Sequence, residues 1–209
     1  MKFCGRLLLP VVVFLSSLML PSFALANNST DFSNSGGTLS GSNAGLSLTG
    51  STLIGVTGFD GLGVVAGDLG SVAFTTGALT SGTLQMGGTL AGGGTFTIDG
   101  NGSSGIPDGV LFSGSFSGPV TWTLTTLANG THNYTLTGTV SGTMGGVNVN
   151  GVTVQLTINT GKGFFNGSTT IAGGDTAVST SVPEPSTLAM FGTGTLGLAG
   201  LLRKKALKQ

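Results

Sequence analysis

The sequence predicts an all-β fold, an antiparallel sandwich or jelly-roll-like domain with an apolar segment at each end of the chain. Three observations predict it. Apolar and polar residues alternate with a period of two in several runs rich in β-branched side chains. Asn-Gly and Asp-Gly dipeptides, which favour tight turns, separate these runs. The 209 residues include 40 glycines, and no stretch between the two ends keeps a helical period over about 11 residues without a glycine.

The clearest strand patterns have one apolar face and one face of Thr, Ser or Asn. This is typical of a sheet with one face packed against the core and the other exposed to solvent. They predict about eight to twelve short strands. By alternation Trp122 shares the face of Leu124, so we expect it in the core. Residues 36–70 are weakly patterned and are expected to be partly loop. The clearest strand patterns are the runs 95–98, 111–116, 121–125, 133–137, 147–150 and 152–158.

Five glycine-containing dipeptides are candidates for the turns between these strands. Asn129-Gly130 lies between the run that holds Trp122 and the run that holds Tyr134, so it predicts a hairpin. The other four are Asp99-Gly100, Asn101-Gly102, Asp108-Gly109 and Asn166-Gly167.

The composition excludes several classes of function. Charged residues make up 7% of the chain and the formal net charge is zero. Between residues 27 and 182 the only basic residue is Lys162, so no positive surface is available to neutralise phosphates, and nucleic-acid binding is excluded. A single cysteine, Cys4, excludes an internal disulfide and a multi-thiolate metal site. The same span holds six aspartates: Asp31, Asp60, Asp68, Asp99, Asp108 and Asp175.

The first 26 residues have the three parts of a secretory signal peptide. Lys2 and Arg6 precede an apolar run over 7–20, and Ala24 and Ala26 give the small-x-small pattern that signal peptidase accepts. We therefore predict a signal peptide over 1–26, cleavage before residue 27 and an extracellular all-β domain over 27–173. The alternative is an uncleaved membrane anchor.

The end of the chain has three consecutive features. Pro183, Glu184 and Pro185 are followed by an apolar stretch over 188–202, which then meets a basic cluster, Arg203, Lys204 and Lys205. The stretch is predicted to be a transmembrane helix, close to the shortest length that spans a bilayer. The basic cluster is predicted to keep the end of this helix on the cytoplasmic side. Residues 174–182 are predicted to be a linker to this 183–209 segment. A plain anchor with a proline-rich collar is the alternative.

These features closely resemble the PEP-CTERM sorting signal, in the order and spacing of Pro183, Glu184 and Pro185, the apolar helix and the cluster that begins at Arg203. The resemblance implies recognition and processing by an exosortase, a membrane-embedded cysteine protease or transpeptidase. It also implies export, membrane anchoring through the helix, and then the cell surface or the exopolysaccharide matrix as the destination. Two prolines keep the motif extended, a form that a protease cleft grips readily.

No catalytic residue, cofactor-binding residue or metal ligand is predicted. His132 is the only histidine, no Gly-x-Ser-x-Gly elbow occurs, and His132 is expected to be a solvated residue at the start of a strand. The spacing of Asp99, Asn101 and Ser103, with Asp108 following, is similar to a calcium loop, although Val110 stands where a bidentate glutamate is needed.

Three hypotheses of function follow. The first is an exported, non-enzymatic protein with a structural or adhesive role at the cell surface or in the matrix. The second is a calcium- or carbohydrate-binding module, with exopolysaccharide as a partner. The third is an aspartate-dependent glycosidase, which requires two carboxylates converging in a cleft.

Overall fold

A computed structural model describes residues 28–180, and these form one antiparallel sheet of thirteen strands. The prediction of an all-β antiparallel fold is confirmed, with one strand more than the expected range. A single 3-10 turn, Phe59–Gly61, interrupts the strands. The strands are β1 Asn28–Ser35, β2 Thr38–Ser42, β3 Gly45–Thr57, β4 Val64–Thr75, β5 Leu79–Thr83, β6 Gly87–Leu90, β7 Gly93–Asn101, β8 Asp108–Phe116, β9 Val120–Thr126, β10 His132–Met144, β11 Val147–Asn159, β12 Ser168–Thr170 and β13 Gly173–Thr180.

Eight of the strands close into a ring with a barrel-like or sandwich-like cross-section. The order is β1, β3, β4, β7, β8, β10, β11, β13 and back to β1, and every pair is antiparallel. Closure removes the free edges that an open sheet would present. Two short branches leave the ring: β9, β6 and β5 extend from β10, and β2 with β12 extends from β3.

Strand β10 is where the first branch separates. One edge of β10 pairs with β11 along nearly its whole length. The other edge pairs with β9 over His132–Thr137 and with β8 over Val140–Met144. The predicted hairpin at Asn129-Gly130 is confirmed, since it joins β9 to β10.

The core fills the ring with the alternate side chains that the period of two predicts. Three buried phenylalanines surround Phe96, which is itself buried: its ring contacts those of Phe74, Phe112 and Phe116, and Phe74 also contacts Phe116, with ring centroids 5.7 to 6.0 Å apart. Trp122 is 1% exposed, so the prediction that it lies in the core is confirmed.

The structure corrects three expectations about the chain between strands, the linker and two turns, and bears out a fourth. Residues 174–180 are not a linker, because Gly173–Thr180 is strand β13, paired with both β1 and β11. Residues 36–70 are partly loop, as expected, at 36–37, 43–44 and 58–63, and strands β2, β3 and the start of β4 occupy the rest. Asp99-Gly100 and Asp108-Gly109 are not turns, because they lie within β7 and β8, where Gly100 pairs with Gly109.

The two ends of the described domain differ in the loops and strand ends that lie there. At the near end, Asn28 pairs with Thr180, so the described part of the chain begins and ends side by side, and the β10–β11 turn at Gly145 and Gly146 lies at the same end. At the far end are the β2–β3 turn, the β5–β6 turn and the 160–167 segment. Among residues 28–180, no helix has the length and apolar character needed to cross a bilayer. The predicted signal peptide and the predicted helix over 188–202 lie outside the described residues.

Candidate functional site

The sorting residues predicted from the sequence follow directly after the described domain. Strand β13 ends at Thr180, three positions before Pro183. Ala24 and Ala26 of the predicted cleavage site lie outside the described residues, as do Pro183, Glu184 and Pro185 of the motif and Arg203, Lys204 and Lys205 of the basic cluster.

At the far end, an aromatic cluster fixes two loops. Trp122 and Tyr134 stack with ring centroids 5.0 Å apart, and Phe165 meets Trp122 edge-on at 5.6 Å. The polar atoms of the cluster face the loops. Trp122 Nε1 donates to the carbonyl of Leu84 at 2.9 Å, and Tyr134 Oη donates to the carbonyl of Gln85 at 2.6 Å. Tyr134 Oη also accepts from the amide of Phe165 at 3.1 Å. The β5–β6 turn and the 160–167 segment are therefore held against one buried cluster.

Above this cluster lies an open cleft of about 730 Å³. That volume falls within the range of about 300 to 1,000 Å³ common for small-molecule sites. The β2–β3 turn, strand β5 with its following turn, and the end of the 160–167 segment line it. Its apolar walls include Leu79, Leu84 and Phe165. None of the described residues that line it is charged. The polar side chains that line it are Ser42, Asn43, Thr83, Gln85 and Asn166.

The cleft's polar groups differ in whether they already have partners. Ser42 Oγ accepts from the amide of Ala44, and Thr83 Oγ accepts from the amide of Met86, so these hydroxyls shape the two turns. The side-chain amides of Asn43, Gln85 and Asn166 are on exposed residues and make no hydrogen bond within the described part of the chain. Each of the three offers both donors and an acceptor to a ligand.

His132 lies behind the same loops. It begins β10, as predicted, but it is 9% exposed, so the prediction of a solvated residue is wrong. Its ring stacks on Phe164 at 4.4 Å between centroids, and Nδ1 is 3.0 Å from Thr126 Oγ1. The 160–167 segment folds back over the strand start and covers the ring, an arrangement that no local pattern indicates.

Residues of the calcium loop considered from the sequence are paired in a β-ladder. Asp99 is opposite Val110 and Asn101 is opposite Asp108 in the β7–β8 ladder. Asn101 Oδ1 accepts from the amide of Ser103 at 3.1 Å, and Asn101 Nδ2 donates to the carbonyl of Asp68 at 3.0 Å. Both ends of the Asn101 amide therefore have protein partners. Among residues 28–180 no three His, Cys, Asp or Glu side chains come together as a metal site.

Two aspartates meet on the outer face, at the junction of the first and last strands. Ser33 of β1 is opposite Asp175 of β13, and Asp31 is the next outward residue along β1. Burial raises the pKa of Asp31, and the neighbouring Asp175 carboxylate raises that pKa further. Asp31 Oδ1 is buried without a hydrogen-bond partner, whereas Asp175 Oδ1 accepts from Ser33 Oγ at 3.3 Å. Neither residue lines the cleft.

Sequence reasoning missed the cleft because its lining residues come from three separate parts of the chain. The only signal available was the set of turn residues near Asn43 and Asn166, which by themselves indicate loops and not a shared site.

The fold and the site define an all-β domain that has an uncharged cleft at one end, and its first and last strands meet at the other end. Residues 181–204 match the family model described as the PEP-CTERM protein-sorting motif. The chain therefore carries the sorting signal of an exosortase substrate, and the resemblance noted in the sequence is confirmed. No curated protein and no solved structure matches the chain.

Proposed function

We propose that the protein is an exported, non-enzymatic passenger domain with a structural or adhesive role at the cell surface or in the extracellular matrix. Signal peptidase removes residues 1–26, the helix over 188–202 holds the chain in the membrane, and an exosortase-like enzyme then processes it at Pro183, Glu184 and Pro185. The observation that carries this proposal is the sorting motif, which begins at residue 181, one residue after the last strand of the domain.

The composition of the domain supports a non-enzymatic role. Its one histidine is stacked against Phe164, and the two interacting carboxylates, Asp31 and Asp175, do not line the cleft. A glycosidase would need two carboxylates within the cleft. The uncharged cleft instead favours the binding-module alternative, with carbohydrate rather than calcium as the ligand, because hard cations prefer carboxylate oxygens.

The sorting step is tested in host cells with and without the exosortase. We expect wild-type chain to lose its C-terminal segment and to reach the surface only when the enzyme is present. Mass spectrometry of both chain ends gives the two cleavage positions. The double variant Pro183→Ala/Pro185→Ala should keep its full C-terminus in the membrane fraction.

Pro119→Ala, at an exposed proline between β8 and β9, is the matched control and should be processed normally. Intact Met1 and Gln209 on cytosolic protein from wild-type cells would overturn the proposal. Equal processing of the double variant and the wild type would show that the two prolines are not required for recognition by the enzyme.

A further inference from the structure

We propose that the far-end cleft binds a neutral polysaccharide, an uncharged polyhydroxylated chain. This ligand class would make the adhesive role proposed above specific, and the proposal rests on that role only for its biological setting. The cleft is an open volume of about 730 Å³ whose lining combines apolar side chains with amides and hydroxyls.

The chemistry of the lining indicates the class of ligand. The side-chain amides of Asn43, Gln85 and Asn166 make no hydrogen bond within residues 28–180, so together they suit a ligand whose own groups both donate and accept. Sugar hydroxyls do both. An anionic or cationic ligand would find no opposite charge, because no described lining residue is charged.

An extended peptide is the competing occupant, because one edge of β5 is open. That edge is irregular, however. The β5–β6 register shifts between Leu79 and Ser81, and Gly82 has a φ of 75°. A broken edge cannot present evenly spaced amide and carbonyl groups, and such irregularity is how sheets prevent strand addition. These observations favour a glycan over a peptide strand.

The cleft is held in shape by buried groups. Trp122 and Tyr134 hydrogen-bond to the carbonyls of Leu84 and Gln85, and Tyr134 also accepts from Phe165. Two of the three cleft walls are therefore fixed before a ligand arrives, which lowers the cost of ordering on binding. Thr180, the last described residue, lies at the end of the domain opposite the cleft.

The test uses the full chain, purified in a sugar-free zwitterionic detergent, because glycoside detergents would compete for the site. Binding is measured by calorimetry and affinity electrophoresis with dextran, a soluble β-glucan and a galactomannan as neutral probes. Alginate serves as an acidic probe and a polythreonine peptide as an extended peptide. We expect at least one neutral polysaccharide to bind, with affinity unchanged between about 50 and about 500 mM salt.

The decisive variant is Asn43→Ala/Gln85→Ala/Asn166→Ala. It should weaken binding at least about tenfold, which corresponds to about 1.4 kcal/mol. The matched control, Asn148→Ala/Asn150→Ala/Gln155→Ala, removes two asparagines and one glutamine that are also exposed, on β11, and should leave affinity unchanged. The single variant Gln85→Ala, and the unfolding midpoint of each protein, separate a lost contact from a lost fold.

Absence of binding to all three neutral probes would overturn the inference, as would an equal loss in the two triple variants. Preferred binding of alginate with strong salt dependence, or of the peptide, would overturn it in favour of that ligand. Sorting is measured in cells and binding on purified chain, so either proposal can fail while the other stands.

Discussion

The phenolic oxygen of Tyr134 donates a 2.6 Å hydrogen bond to the backbone carbonyl of Gln85, 49 positions earlier in the chain. The same oxygen accepts from the amide of Phe165. One buried hydroxyl therefore links β10 to two of the three loops that border the cleft, and this contact couples the core of the domain to its candidate binding site.

Tyr134→Phe should destabilise the domain by about 1–3 kcal/mol, because it leaves the Phe165 amide and the Gln85 carbonyl without their partner. Urea unfolding followed by the fluorescence of Trp122, the only tryptophan, measures the change. Thr135→Val removes a hydroxyl from the neighbouring position, one that makes no hydrogen bond within the described residues, and should change stability by less than about 0.5 kcal/mol. Equal effects of the two variants would contradict the linking role of Tyr134.

Asp31→Asn should stabilise the domain at neutral pH. Burial and the Asp175 carboxylate raise the pKa of Asp31 in the folded state, so folding favours the protonated acid. The stabilisation is fully present below the pKa of an unfolded aspartate and is lost as pH rises through the raised pKa of the folded state. The wild type should therefore become less stable across that window.

The measurement is the free energy of unfolding at a series of pH values. Asp31→Asn should flatten the slope, and Asp175→Asn should reduce it by removing the neighbouring charge. Asp60→Asn, at the exposed 3-10 turn, is the control and should retain the wild-type slope. A wild-type slope in Asp31→Asn would show that another group is responsible.

Gly100→Ala should destabilise the domain by about 3 kcal/mol. Gly100 is buried within β7, and a Cβ there would meet the backbone oxygen of Pro107 and come within 2.9 Å of Ile106 Cγ2. Gly118→Ala is the control, because its nearest neighbour would be Thr139 Oγ1 at an ordinary 3.9 Å. Thermal unfolding compares the two, and a near-neutral Gly100→Ala would be inconsistent with this close approach.

Phe96→Ala should cost about 3–5 kcal/mol of stability, since its ring is fully buried among Phe74, Phe112 and Phe116. The same substitution at Phe164, which is 48% exposed, should cost about 1 kcal/mol. Chemical denaturation of both variants gives the difference. Similar losses would mean that the phenylalanine cluster does not form the centre of the core.

Local pattern was enough to predict elements whose interactions are close in sequence. The alternation around Trp122 and Tyr134 predicted β9, β10 and the burial of Trp122, and the Asn129-Gly130 turn between them predicted the hairpin. The same reasoning failed at Asp99-Gly100, because the signal for a turn and the need for close packing both select glycine. Only the approach of Pro107 to Gly100 decides between them.

The sequence by itself determined the class of fold and the presence of the sorting signal, because a period of two and a linear sorting motif are both read from neighbouring residues. Only the tertiary structure decided that β13 closes the ring against β1, that Asp31 meets Asp175, and that three distant loops form one uncharged cleft. Each of these depends on pairing between segments far apart in the chain. The register and partner of such a pair are set by how the whole core packs, and no local pattern contains that information.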